Sequence, residues 1–248
     1  LMSLKLHSPF LVNLPCAMIL SGLLGALVGI PSLRIRNDYF VVATFAFQVI
    51  AFSILNNWVS FTGGPMGVPG IPQPSIFGWV VDSQWEYLSL VAVLAAIVLW
   101  ACHRMVHSPF GRVLMAIRED ETCALSVGKN VAAYKVLVFI IGAAMASVAG
   151  VMYAHYISFV DPTSFTVMES IFIISIMIIG GAGSFWGPVL GAVVLVTLPE
   201  ILRFIGMPSA IAANVRQILY GGLLVAFMML RPQGLMGNYA FGRGGATK

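Results

Sequence analysis

Seven long apolar runs follow one another along this chain, at 10–30, 39–55, 87–102, 136–154, 165–181, 188–202 and 211–230. A helix that crosses the hydrocarbon of a bilayer needs about 20 mainly apolar residues. Several of these runs are shorter, which implies either longer true boundaries or broken helices. The composition agrees: 59% of the residues are hydrophobic and 9% charged, where a water-soluble domain carries roughly a quarter charged. Mean hydropathy is +0.96. The expected fold is an all-α, polytopic transmembrane helix bundle.

Charge then orients the bundle. A net charge of +4 might suggest nucleic acid, but no basic tract with interleaved aromatics occurs. Lys and Arg instead collect in loops, as they do on the cytoplasmic side of membrane proteins. Arg34 and Arg36 flank the first loop, while Arg104, Arg112, Arg118, Lys129 and Lys135 cluster in the third. Arg231, Arg243 and Lys248 close the chain. The opposite loops, 56–86 and 155–164, contain Asp82, Glu86 and Asp161 but neither Lys nor Arg. Arg203 is the basic residue that falls on this outer side. The pattern puts residue 1 outside and residue 248 inside, and residues 1–9 do not read as a signal peptide. Helices upstream of Leu1 would reconcile an outer first residue with the lack of a signal peptide, so an N-terminally truncated chain is expected. Cys16, Cys102 and Cys123 form neither a disulfide framework nor a metal motif.

Small residues recur at helical spacing: Ser21, Gly25 and Gly29; Gly142, Ala146, Gly150 and Ala154; Gly187 and Gly191. Such faces let two backbones approach closely in lipid, so each is expected at a helix–helix contact. The Gly- and Pro-rich stretch after Asn57 reads as a turn-forming outer loop. It serves either as a surface connector or as a segment packed over a path or under a partner.

One stretch does not belong in lipid. "SPFGRVLMAIREDETCALSVGKN" (108–130) places Arg118, Glu119, Asp120 and Glu121 side by side between apolar runs. Ser108-Pro109 can open a helix and Gly128 can end it. Val113, Ile117, Ala124 and Val127 form an apolar stripe on that helix. A helix lying on lipid would carry mainly Lys and Arg on its polar face. Consecutive acids favour a protein partner over a lipid surface.

With these residues in place, the chain resembles the LivM-type permeases of branched-chain amino acid ABC importers. "PSLRIRNDYFVVATFAF" (31–47), "TGGPMGVPGIP" (62–72), the 108–130 stretch, "YAHYISFVDPTSFT" (153–166), "GGAGSFWGPVLGA" (180–192) and "LRPQGLMG" (230–237) resemble blocks of that family in the same order. The resemblance implies that 1–248 is a transmembrane permease domain in the bacterial inner membrane, with a cytoplasmic coupling helix in the loop 103–135. Ile117, Arg118, Glu119, Asp120, Glu121, Ala124, Val127 and Gly128 would then couple it to an ATPase. The family's Glu-Ala-Ala pattern is matched by Ala124 and Gly128, while Thr122 and Cys123 depart from it. The implied partners are a second permease subunit, two ABC ATPases and a periplasmic binding protein, with ATP used by the partners and no cofactor held by this chain.

No Walker A pattern occurs, so an energy-supplying subunit must be separate. His155, Ser184 and Glu169 do not define a nucleophile with its base, and no enzyme is expected. An ion-coupled carrier would keep ionisable groups inside its spans; here Glu169, Glu200 and Arg216 lie near span ends. The expected cargo is a hydrophobic amino acid, and urea or a short amide would suit an uncharged path equally. Candidate path residues are Thr62, Gly63 and Gly64 in the outer loop, and Gly180, Gly181, Gly183 and Ser184 in "GGAGSFWGP". That break reads either as a tight turn between helices or as a gate lining the path.

Overall fold

The computed structural model describes residues 9–32, 37–76, 79–81, 83–181 and 183–204, together with 221, 222, 225, 229 and 234–236. Arg34, Arg36, Asp82, Arg216, Arg231, Arg243 and Lys248 lie outside the described residues. So does most of the seventh expected span, and the side chains of Glu200 and Arg203 are not described either. The chain divides into two compact units, Leu1–Ser164 and Phe165–Lys248.

In the first unit the long helices are α1 (Phe10–Ser32), α2 (Asn37–Asn57), α4 (Gln84–Val106) and α7 (Val131–Ile157). Short elements join them: α3 (Val59–Thr62), a 3₁₀ turn (Gly64–Met66), and the strand pairs β1 (Val68–Pro69), β2 (Ser75–Ile76) and β3 (Trp79–Val80). Two more helices, α5 (Pro109–Glu119) and α6 (Glu121–Ser126), link α4 to α7, and β4 (Phe159–Val160) follows α7. The second unit contains α8 (Val167–Gly180) and α9 (Gly187–Phe204). The first six expected spans thus correspond to α1, α2, α4, α7, α8 and α9.

Among the described residues five stretches are long and apolar enough to cross a membrane: Phe10–Pro31, Tyr39–Asn57, Gln84–Val106, Val131–Ile157 and Pro162–Gly180. Their outer faces confirm the solvent. Leu23, Val41 and Trp100 are each about two-thirds exposed, which water would penalise and lipid does not. At 27 residues, α7 is about 40 Å long and exceeds a hydrocarbon core of about 30 Å, so it crosses with tilt or with turns to spare at its ends.

Helices α1 and α7 run antiparallel and form the central pair of the first unit. Without a hydrophobic drive in lipid, close backbone approach must hold them. The expected face of α1 does this: Ser21 Oγ donates to the Ala143 carbonyl at 2.8 Å. Gly25 leaves no room for a side chain, since a Cβ there would lie 2.8 Å from that of Ala143. Gly29 is close as well, a Cβ there lying 3.1 Å from the Phe139 ring. On α7 the expected face is not the one that meets α1. Among the described residues nothing approaches within 4 Å of a Cβ placed at Gly142 or Gly150, and α7 meets α1 through Phe139, Ile140, Ala143 and Ala144. The residues α7 presents are larger than the glycines because α1 supplies the gap.

The Gly/Pro-rich loop is folded rather than slack. β1 pairs antiparallel with β4, Val68 opposite Val160 and Pro69 opposite Phe159. The amides of Gly70 and Ile71 both donate to the Ser158 carbonyl. His155, read from sequence as a lone residue at a helix end, is buried. Its Nδ1 lies 2.7 Å from the Pro72 carbonyl, which can only accept, so the ring donates there. Phe10 meets the same ring edge-on, with centroids 5.4 Å apart. Two blocks nearly ninety positions apart are thereby joined into one lid-like end of the first unit.

Candidate functional site

The charged stretch folds as two helices where the stripe predicts one. Ser108 caps α5: its Oγ accepts from the Gly111 amide at 3.3 Å, and its hydroxyl donates to the Met105 carbonyl at 2.6 Å. The break falls at Asp120, which is extended at φ −154° and ψ 108°. Its Oδ1 accepts from the Thr122 amide (2.8 Å), the Thr122 hydroxyl (2.6 Å) and the Cys123 amide (3.1 Å). An Asp that satisfies the free amides of a new helix competes with continuing the old one. The Thr122 hydroxyl, followed by the Cys123 amide, holds this carboxyl below the usual range. Gly128, at φ +76°, closes α6 with its amide on the Leu125 carbonyl. Asn130 then caps α7 by accepting from the Ala133 amide at 3.1 Å.

The apolar stripe is divided between two uses. Ile117 and Ala124 are buried against Val131 at the start of α7, with Val113 and Tyr134 around them. The Phe110 and Tyr134 rings stack above, 5.4 Å apart. Ile117 is therefore covered by the chain itself. This small core holds the loop against the start of α7. Val127 is 71% exposed, and Leu125 and Met115 are open as well. Between α5 and α6 lies a groove of about 530 Å³ that Val113, Ala116, Cys123, Ala124 and Val127 line together with charged Arg112 and Glu119. Ala124 belongs to both the core and the groove.

The expected charges also separate. Lys135 Nζ on α7 reaches Glu121 Oε2 at 2.6 Å, tying α6 to α7. Arg118 and Glu119 pair locally at 3.3 Å and stay exposed. Lys135 belongs to this loop's basic cluster by sequence, but its pairing with Glu121 and the part played by Tyr134 are visible only in the structure. Their position one helical turn inside α7 is the available signal, since a helix entering lipid spends its first turn near the loop it leaves.

The candidate path residues build backbone turns. Thr62 Oγ1 donates toward the Leu55 and Trp58 carbonyls and accepts from the Gly64 amide. Gly63 and Gly64 both have positive φ, and a Cβ at Gly63 would collide with the Gly67 carbonyl. In the second unit α8 stops at Gly180 and α9 starts at Gly187. Gly180, Gly187 and Gly191 interleave so closely that a Cβ at Gly191 would sit 2.3 Å from the Ile176 carbonyl. Ser184 Oγ accepts from the Gly187 amide at 2.9 Å. The break is thus a tight turn between two packed helices. A segment from far along the chain covers it: the Leu235 and Met236 amides donate to the Ile179 and Gly180 carbonyls, which the end of α8 leaves free. The two sets of candidate path residues belong to different units, and His155 and Ser184 likewise.

The family described as the permease component of the branched-chain amino acid transport system matches residues 1–228. The chain belongs to that family. Its apolar helices make it a multi-pass membrane protein of that family, and its charged two-helix element sits between two of its candidate spans. The LivM high-affinity branched-chain amino acid permease of Salmonella typhimurium is 35% identical over 92% of this chain and 57% of its own length. The probable LivM of Methanocaldococcus jannaschii is 28% identical over 89% of this chain and 67% of its own. The ribose import permease RbsC of Escherichia coli is 25% identical over 80% and 63%. The chain spans little more than half the length of the Salmonella relative. No solved structure matches it.

Proposed function

We propose that this chain forms the membrane-spanning permease part of an ABC importer in a bacterial inner membrane. In this reading it passes branched-chain amino acids handed over by a periplasmic binding protein. Two separate ATPase subunits drive it, and a second permease subunit completes the path. The observation that carries the reading is the capped pair α5–α6, an ordered, charged element between two spans of a permease-family chain. A coupling element has to move its helices rather than bend. The Ile117–Ala124–Val131 core and the Lys135–Glu121 bridge supply that stiffness.

The loop 103–135 is cytoplasmic here, and the ATPase meets Val127, the groove above Ala124, and exposed Arg118 and Glu119. Asp120, Glu121, Ile117 and Gly128 act from behind by holding that surface in shape. Thr62, Gly63 and Gly64 in the first unit, and Gly180, Gly181, Gly183 and Ser184 in the second, each shape the path through backbone turns, which the Thr62 hydroxyl and Ser184 Oγ brace by bonding to backbone.

The test is co-purification of the ATPase with the complete permease, together with uptake of labelled leucine into vesicles. Val127→Asp puts an unpaired charge on an exposed position, so the helices should insert normally. The charge should weaken docking by several kcal/mol, roughly a hundredfold or more. Unchanged ATPase recovery and uptake would remove α6 from the docking surface. Uptake of ribose in place of leucine would overturn the cargo.

A further inference from the structure

Away from the charged element, at the opposite end of α4, Gln84, Tyr87, Leu88 and Val91 recur at helical spacing and share one face. With Trp85 beside them and Tyr156 contributed by α7, they line a groove of about 410 Å³. The Tyr87 and Tyr156 rings lie 5.2 Å apart, tilted by 37°. Tyr87 is held in place because its hydroxyl donates to the Met152 carbonyl. Trp85 is 80% exposed.

The groove is graded in polarity. Gln84, the indole and the phenols form its first turn, and Leu88 and Val91 continue it over about 10 Å of helix. The membrane-crossing run of α4 begins at Gln84, so this gradient follows that of a lipid from headgroup to tail. The local charge is one-sided as well. Glu86 stands in the same first turn of α4, and among the described residues the groove's lining includes neither Lys nor Arg, so its charge does not attract an anionic headgroup. Aromatic faces and carboxylates both attract ammonium.

We propose that this groove binds a membrane lipid with an ammonium-bearing headgroup, its ammonium against Trp85, Tyr87 and Tyr156 and its tail against Leu88 and Val91. The site does not depend on what the permease transports.

The test places the protein, with any subunits that purify with it, in nanodiscs of equal phosphatidylethanolamine and phosphatidylglycerol. Lipid retained after delipidation is then counted by native mass spectrometry. Retention should favour the ethanolamine lipid by roughly five- to tenfold, as two or three ring–cation contacts imply. The double variant Trp85→Leu/Tyr156→Leu keeps apolar bulk at exposed positions and should abolish the preference. Tyr156→Phe keeps the ring and should preserve it. Equal retention of both lipids, or a preference that survives the double variant, would reduce these rings to interfacial anchors and overturn the proposal. Displacement of the lipid by millimolar free leucine would overturn it too, by assigning the ammonium site to an amino acid.

Discussion

Replacing Gly25 by Ala tests what holds α1 against α7. The added Cβ would lie 2.8 Å from the Ala143 Cβ, 3.5 Å from the Phe139 carbonyl oxygen and 3.6 Å from the Ile140 Cα. Carbon atoms rest about 3.5–4.0 Å apart, so only the first contact is forbidden. Relieving it requires roughly 1 Å of helix separation, which also stretches the Ser21–Ala143 hydrogen bond. Overpacking of this kind costs about 1–3 kcal/mol, offset by up to about 1 kcal/mol because Ala is the better helix former. The net expectation is a loss of about 1–2 kcal/mol. Since the obstacle is a single methyl group, Ala143→Gly should restore the fit, and the pair Gly25→Ala/Ala143→Gly should show a favourable coupling of at least about 1 kcal/mol. Gly142→Ala, on the face of α7 with open space around it, serves as the control and should shift stability by less than about 0.5 kcal/mol. Reversible unfolding in mixed detergent–SDS micelles would measure all four variants. Additive behaviour of the pair, or a Gly25→Ala variant as harmless as Gly142→Ala, would refute the packing argument.

Gly191→Ala should be far more damaging than Gly25→Ala, by about 3 kcal/mol or more, because its obstacles are the Ile176 carbonyl and the Gly180 backbone. Expression and monodispersity in detergent would report it, and no neighbouring side-chain deletion should rescue it. His155→Ala removes the donor that holds Pro72 and should cost about 1–3 kcal/mol, releasing the 62–76 loop to limited proteolysis while the spans stay intact. Asp120 titrates below the usual carboxylate range in the folded protein, so its stabilising effect is complete above the unfolded-state pKa and is lost only as pH falls through the lower folded value. Amide-exchange protection at Thr122 and Cys123, corrected for intrinsic rates, should therefore hold as pH falls from 7 to 4 and drop below that. Asp120→Asn should abolish the pH dependence, and a drop already complete near pH 5 would contradict the cap.

The spans, the charged element between them and the family blocks were all legible in the residues, because they rest on local quantities. Twenty apolar residues in a row prefer lipid whatever lies beside them, and a run of acids leaves it. Ser108 before Pro109 and Gly128 after Val127 likewise act within a turn of their own position, so the ends of the element were readable. The middle was less so. Asp120 fitted a charged helix face as well as a cap, and only the three donors around its carboxylate distinguish the two.

What the sequence by itself determined, then, is which stretches of the described residues prefer lipid, roughly where each begins and ends, and which loop carries the charge. Which faces meet was decided only in three dimensions. Gly142 and Gly150 satisfy the small-residue rule as well as Gly25 does, yet α7 turns Phe139, Ile140 and Ala143 toward α1. Spacing defines a face without naming its partner, and a gap on one helix is filled by bulk on the other. The burial of His155 under Pro72, the division of the apolar stripe between core and groove, and the capping of α8 by Leu235 and Met236 have the same origin. Each joins groups separated along the chain, and the complementarity that selects among such contacts exists only once the backbones have been brought together.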